Sequence, residues 1–266
     1  MTITGVAAGV PFTALPPAGG GPAPLVVTWH MLDAPRTDAA FAAALPLNGV
    51  PAWRVHLGLP MCGARMAESG MSAIVDLAVA DTMNNFAAGL SAQAETEFPA
   101  ALSALRDRFP LSDGPIGLVG GSLGGLVALR VLASGSVPVA AAALVNPAIR
   151  ASTLVALIDE QLGREYPWTP ETRALADSLD FVARAGELAA PLLVVSGADD
   201  YPTFRPDAAA LVAAAPNAEL RTVPGLAHPL ADEPGMAPAP QRPTAKLVDE
   251  ALTDWLTRHL VSRVIS

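Results

Sequence analysis

The sequence predicts a doubly wound α/β fold, a mostly parallel β-sheet with helices on both faces. Three observations carry this. Short apolar runs alternate along the chain with stretches of helical periodicity. Those runs are continuously apolar, as strands covered on both faces are. The length, 266 residues, suffices for one large core and is short for two, so residues 1–266 are expected to form a single domain. No fixed-period repeat is present, which excludes a solenoid.

The elements follow in order. After a Pro/Gly-rich turn from Leu15 to Pro24, PLVVTWH (Pro24 to His30) is a short β-branched run and reads as a buried strand. Thr37 to Leu45 carries alanines and Phe41 at helical spacing, and AWRVHLGLP (Ala52 to Pro60) is the next strand. From Ala94 to Phe109 the residues Phe98, Leu102, Leu105 and Phe109 make one apolar helical face, ended by Pro110 and the Ser112-Asp113-Gly114 turn. A strand (Ile116 to Gly120), a helix from Leu123 to Ala133 and a strand (Pro138 to Pro147) come next. Helical sequence then extends to about Ala190. The chain closes with a strand (Pro191 to Gly197), a helix (Pro206 to Ala215), a strand (Glu219 to Gly225) and an amphipathic helix from Thr244 to Leu260. In such sheets ligands bind beyond the carboxyl ends of the strands, so the residues just after each strand are the ones to inspect.

Composition narrows the function. The chain is 52% hydrophobic and 15% charged, yet its longest apolar stretch, Val137 to Ile149, is broken by Pro138, Asn146 and Pro147 and is too short for a membrane span. MTITGVAAGV has no basic residue ahead of its apolar part, so a secretory signal is not expected and the cytoplasm is. A net charge of −9 with no Lys/Arg cluster argues against nucleic acid. Cys62 is the only cysteine, which excludes an internal disulfide and a thiolate-rich zinc cluster. The expected partner is a small molecule that is neutral or weakly polar. The oligomeric state is expected to be monomer or homodimer.

The stretch GLVGGSLGGLVALR places Ser122 in the pattern G-x-S-x-G, between a predicted strand and a predicted helix. A sharp strand-to-helix turn strains the serine backbone, and glycines two before and two after let the neighbouring chain pass. Such a turn lifts the hydroxyl above the sheet edge at a helix N-terminus, where developing negative charge is favoured. A phosphate-cradling loop is the competing reading, but the lysine of that motif is missing.

A serine hydroxyl needs a base, and the base needs an orienting acid. Of four histidines, His30 ends a strand, His56 lies within one and His259 closes the last helix; His228 sits in the loop after the last predicted strand. His228 is therefore the candidate base. The acid is Asp199 or Asp200, in the loop after Gly197, and the chain order serine, aspartate, histidine suits this arrangement.

With these residues in place the chain resembles the α/β-hydrolase superfamily, from about Pro24 to its end. The resemblance implies a triad whose acid ends a G-x-x-D loop, here Gly197 to Asp200, which selects Asp200 with Asp199 as the fallback. It also implies an oxyanion hole from the backbone N–H groups of Leu123 and Leu32, with Met31 where relatives often carry glycine after His30. It further implies a small helical cap over the site at residues 148–190. Leu154, Leu157, Ile158 and Leu162 form an apolar stripe there, read equally as pocket lining or as packing, and Tyr166 and Trp168 offer an aromatic wall. His30, Met31, Met61 and Cys62 are the other expected pocket residues.

The implied activity is a serine carboxylesterase that cleaves small, mostly uncharged esters through an acyl-enzyme, with no metal or organic cofactor. Thioesterase, lactonase and carbon–carbon bond hydrolase use the same triad, and a non-catalytic binding protein could keep the fold. Serine at position 122 excludes the haloalkane dehalogenase and epoxide hydrolase chemistries, which need aspartate there.

Overall fold

The computed structural model describes residues 2–19 and 21–261. The expected span 1–266 therefore includes Met1, Gly20 and residues 262–266, which lie outside the described residues. The strands are β1 (Ile3–Ala7), β2 (Val10–Leu15), β3 (Leu25–Trp29), β4 (Trp53–Leu57), β5 (Ile116–Gly121), β6 (Val139–Val145), β7 (Leu192–Asp199) and β8 (Ala218–Ala227). They form one sheet in the order β1-β2-β4-β3-β5-β6-β7-β8. From β4 to β8 in that order neighbouring strands run parallel.

The helices are α1 (Asp38–Ala44), α2 (Ser72–Asp81), α3 (Leu90–Arg108), α4 (Leu123–Ser134), α5 (Ala151–Gln161), α6 (Pro170–Ser178), α7 (Phe204–Ala214) and α8 (Pro243–Val261). Between α2 and α3 the chain runs as a π-helix, Thr82–Gly89. Local signals set several ends. The Thr37 hydroxyl accepts from the Ala40 N–H at 3.1 Å and caps α1, and Thr169 caps α6 ahead of Pro170.

Successive strand residues point to opposite faces, and the core divides accordingly. Leu25, Val27 and Trp29 of β3 join a cluster with Leu102 and Leu105 of α3, Leu126 of α4 and Leu211 of α7. Val26, between them, joins Phe41 of α1 and Val248, Leu252 and Trp255 of α8. The last helix is tied to the sheet, with Trp255 Nε1 donating to the Ala142 carbonyl at 3.0 Å.

Two regions were not predicted. The chain opens with an antiparallel hairpin, β1 and β2, turned at Ala8 (φ 47°) and Gly9 (φ 88°), and β2 also pairs antiparallel with β4. Thr4 and Val6 of β1 face solvent and Gly5 lies between them, so it carries no continuous apolar run. The second region is the helical stretch from Ser72, of which only the part after Ala94 was legible. Val75 and Val79 are about half exposed on α2, and the π-helix breaks the 3.6-residue period that a sequence pattern relies on.

The chain visits β4 on one side of β3, then crosses to β5 on the other. The loops leaving β3 and β5 therefore diverge, opening a crevice at the carboxyl edge of the sheet.

Candidate active site

Ser122 follows β5 directly and occupies that crevice. Its backbone has φ 49° and ψ −118°, a strained conformation for a residue with a side chain. The surroundings hold it there. Its N–H donates to the Val145 carbonyl at 3.2 Å, and its own carbonyl accepts from Gly125 at 2.9 Å and Ala148 at 3.0 Å. The flanking glycines are required by close approach: a Cβ on Gly120 would lie 2.2 Å from the Gly124 carbonyl oxygen, and one on Gly124 would lie 2.3 Å from that of Trp29.

The His228 ring lies beside this turn. Its Nε2 is 2.9 Å from Ser122 Oγ, and its Nδ1 is 2.6 Å from Asp200 Oδ1. All three residues are buried. With Nδ1 donating to the carboxylate, Nε2 is left with its lone pair toward the serine hydroxyl, the arrangement that accepts the hydroxyl proton. Asp200 also accepts from the Tyr201 N–H at 2.7 Å, and the Tyr201 ring lies 4.5 Å from the imidazole centroid, fixing its plane. Asp199 is exposed at the end of β7. Of the two aspartates, Asp200 is the one brought to His228.

Leu123 opens α4, so its N–H has no acceptor within that helix. Leu32 lies across the cavity from a different strand loop, and both leucines line the space above Ser122. That cavity has a volume of about 260 Å³. One wall is apolar, built from Ile74, Phe86, Leu154, Leu157 and Ile158. Three residues of the expected stripe thus face the cavity, while Leu162 packs on the core.

The other expected pocket residues lie elsewhere. His30 is buried: its Nδ1 donates to the Met31 carbonyl at 2.6 Å, its Nε2 accepts from the Leu59 N–H at 3.0 Å, and burial lowers its pKa to about 4. It therefore pins the loop after β3. Met31 is fully buried beneath the turn, against Phe41 and Gly121, and is not among the residues of positive φ. Met61 packs on the core, and Cys62 is buried in it with its thiol pushed up to about 12 by burial. Tyr166 and Trp168 contact each other edge to face at 4.7 Å, and the Tyr166 hydroxyl donates to Asp81 at 2.6 Å beside a separate cavity. Nearness to a strand end along the chain did not place Met31 at the cavity, because the loop after β3 turns its side chain down into the core.

Three residues escaped the sequence reading. Asn146, at φ 43° after β6, donates to the Ala227 and His228 carbonyls at 2.9 and 3.1 Å and accepts from Gly197 at 2.8 Å, joining the acid and histidine loops. Arg36 donates to the Leu32 carbonyl, to the Pro234 carbonyl at 3.0 Å and to Glu233 at 2.7 Å, fastening the loop after β3 to the loop after His228. Asp33, part-exposed, sets its Oδ2 3.4 Å from His228 Nε2. An asparagine directly after a strand, a position suited to left-handed backbone, was the available signal for the first. The other two had none, since their roles depend on residues far along the chain, 197 positions away for Arg36 and Glu233.

Among the described residues no group of His, Cys, Asp and Glu is placed to hold a metal ion, and no helix is long and apolar enough to cross a membrane.

No model of a known protein family matches this chain, and no curated protein does. Solved structures do. Est1E from Butyrivibrio proteoclasticus with ferulic acid bound aligns over 97% of this chain and 99% of its own, at 16% identity and a TM-score of 0.65. TT1662 from Thermus thermophilus aligns over 96% and 98%, at 19% identity and 0.62. A monoacylglycerol lipase from Paleococcus ferrophilus aligns over 94% and 99%, at 15% identity and 0.60. At these identities the likeness is one of architecture: the chain has the α/β-hydrolase fold.

Proposed function

We propose that this protein is a serine hydrolase that cleaves small, mostly uncharged carboxylic esters through an acyl-enzyme, with residues 148–190 as a helical cap. The observation that carries this is the unbroken chain from Ser122 through His228 to Asp200, at 2.9 and 2.6 Å, on the floor of a cavity with an apolar wall. That several similar structures are esterases or lipases supports the same reading.

In this mechanism His228 Nε2 takes the Ser122 proton as Oγ attacks the ester carbonyl. Asp200 holds the ring and stabilises the imidazolium. The N–H groups of Leu32 and Leu123 receive the oxyanion, where one such donor typically contributes ~3 kcal/mol to lowering the barrier. His228 then returns the proton to the leaving alkoxide, and water, deprotonated by the same nitrogen, releases the acid. The scheme uses no cofactor and suits a cytoplasmic enzyme.

The test is hydrolysis of p-nitrophenyl esters from acetate to dodecanoate by the wild type and Ser122→Ala. Turnover that peaks at short chains and falls by more than about 10³-fold in the variant, with an unchanged circular dichroism spectrum, is expected. Equal turnover in the two proteins would refute the assignment.

A further inference from the structure

The titratable residues lining the cavity are Asp33, Arg36, Tyr201 and His228. Arg36 supplies no free cation, because its donors are engaged by the Leu32 and Pro234 carbonyls and by the Glu233 carboxylate. Asp200 sits behind His228 and is paired with it. Asp33 is different: its side chain is 31% exposed, and the titratable side chain it contacts is the His228 imidazole. Its field reaches across the cavity, since the Tyr201 phenol is raised above its ordinary value by burial and then by Asp33.

Position gives this carboxylate a meaning. Nε2 of His228 is the atom that hands the proton to the departing alcohol, so a group 3.4 Å from Nε2 flanks the path of the leaving group rather than the acyl chain. The acyl chain is left with the apolar wall of Phe86, Leu154, Leu157 and Ile158.

We infer that Asp33 is a specificity residue that selects esters whose alcohol portion carries a hydrogen-bond donor, best of all an ammonium group, and that rejects anionic leaving groups. The inference rests on the ester-hydrolase reading and narrows it. A carboxylate accepts from N–H⁺ or O–H donors and repels carboxylates, so a protonated amine gains over an apolar isostere while an anion loses.

Three butyrate esters of nearly equal shape separate these cases: 2-(dimethylamino)ethyl, 3-methylbutyl and 2-carboxyethyl. Their dissociation constants are measured by calorimetry on Ser122→Ala and on Ser122→Ala/Asp33→Asn, and their kcat/KM on the wild type and Asp33→Asn. With Asp33 present the ammonium ester is expected to lead the neutral one by roughly tenfold, and the neutral to lead the anionic by a similar factor, the order of one charge pair in a partly exposed cavity. With asparagine both ratios are expected to fall to about one. Ratios within each protein cancel any general loss of activity. A wild-type ratio near one, or a ratio that Asp33→Asn leaves unchanged, would overturn the inference. If p-nitrophenyl butyrate is not hydrolysed, the esterase reading fails, and the binding ratios still decide the role of Asp33.

Discussion

The floor of the cavity and its apolar wall are built on different principles. On the floor, Ser122, Asn146, Asp200 and His228 stand at strand ends and are tied to backbone: the Val145, Ala227 and His228 carbonyls and the Gly125, Ala148, Gly197 and Tyr201 N–H groups receive or supply bonds, and glycines permit contacts a Cβ would forbid. The wall, from α2, the π-helix and α5, is held by side chains. Asp159, on α5, is buried, accepts from the Thr82 hydroxyl and from Arg164 at 3.1 Å, and Arg164 also donates to the Ala78 and Val79 carbonyls at 2.7 Å. A floor set by backbone has one geometry, whereas a wall set by side chains can be reshaped by substitution. Chemistry and specificity are thereby separable in this molecule.

The sharpest test of the floor is its paired aspartates. Asp200→Asn is expected to lower kcat on a p-nitrophenyl ester by about 10³- to 10⁴-fold, because the amide no longer fixes the imidazole tautomer, while Asp199→Asn changes it by about twofold at most. The reverse ranking would move the acid by one residue.

Lowering the pH loads the loop after β3 and the strand β4, which flank the serine-bearing strand on one side. Burial lowers His30 to about 4, and burial followed by the charge of Arg54 lowers His56 to about 3, against an ordinary value of 6.5. Below about 6.5 the unfolded chain binds these protons and the folded one does not. The stabilisation is therefore fully present above that pH and is lost as pH falls toward 4 and then 3, at up to about 1.4 kcal/mol per pH unit for each histidine. Melting temperatures from pH 7.5 to 4.5 are expected to decline more gently in His56→Gln than in the wild type; parallel declines would contradict this.

The smallest effect is expected in the wall. Arg164→Met leaves the Asp159 carboxylate buried without its cation and should cost about 2 kcal/mol of stability, reduced from the fully buried case because Arg164 is 34% exposed. KM for longer acyl chains should rise more than kcat falls. A hundredfold loss of kcat on the acetate ester would show that wall and floor are not separable.

The same division decides what could be read from the sequence. Backbone-determined features leave marks in short stretches: the glycines around Ser122 and the loop positions of Asp200 and His228 all follow predicted strands, so the succession of strands from β3 to β8 along the chain and these side chains were legible. Side-chain contacts leave none. Tyr166 and Trp168 have the composition of a pocket wall, yet Tyr166 bonds to Asp81 across 85 residues and lies away from Ser122, while Asp33 and Arg36 read as ordinary loop charges. The N-terminal hairpin escaped because an edge strand with a solvated face makes no unbroken apolar run.

The Arg36 clamp also bears on how the molecule is made. It joins residues 197 positions apart, Arg36 near the start of the sheet and Glu233 in the last loop, and Leu230 adds a further bond to Ala34 at 2.9 Å. Contacts of such separation carry the largest loop-closure entropy and form late. The loop bearing Leu32 is therefore fastened after the parallel strands have paired, when the last loop docks. During refolding, helical ellipticity is accordingly expected as the early signal and a formed cavity as the late one, and a nascent chain still missing its last 40 or so residues has neither the histidine nor the clamp.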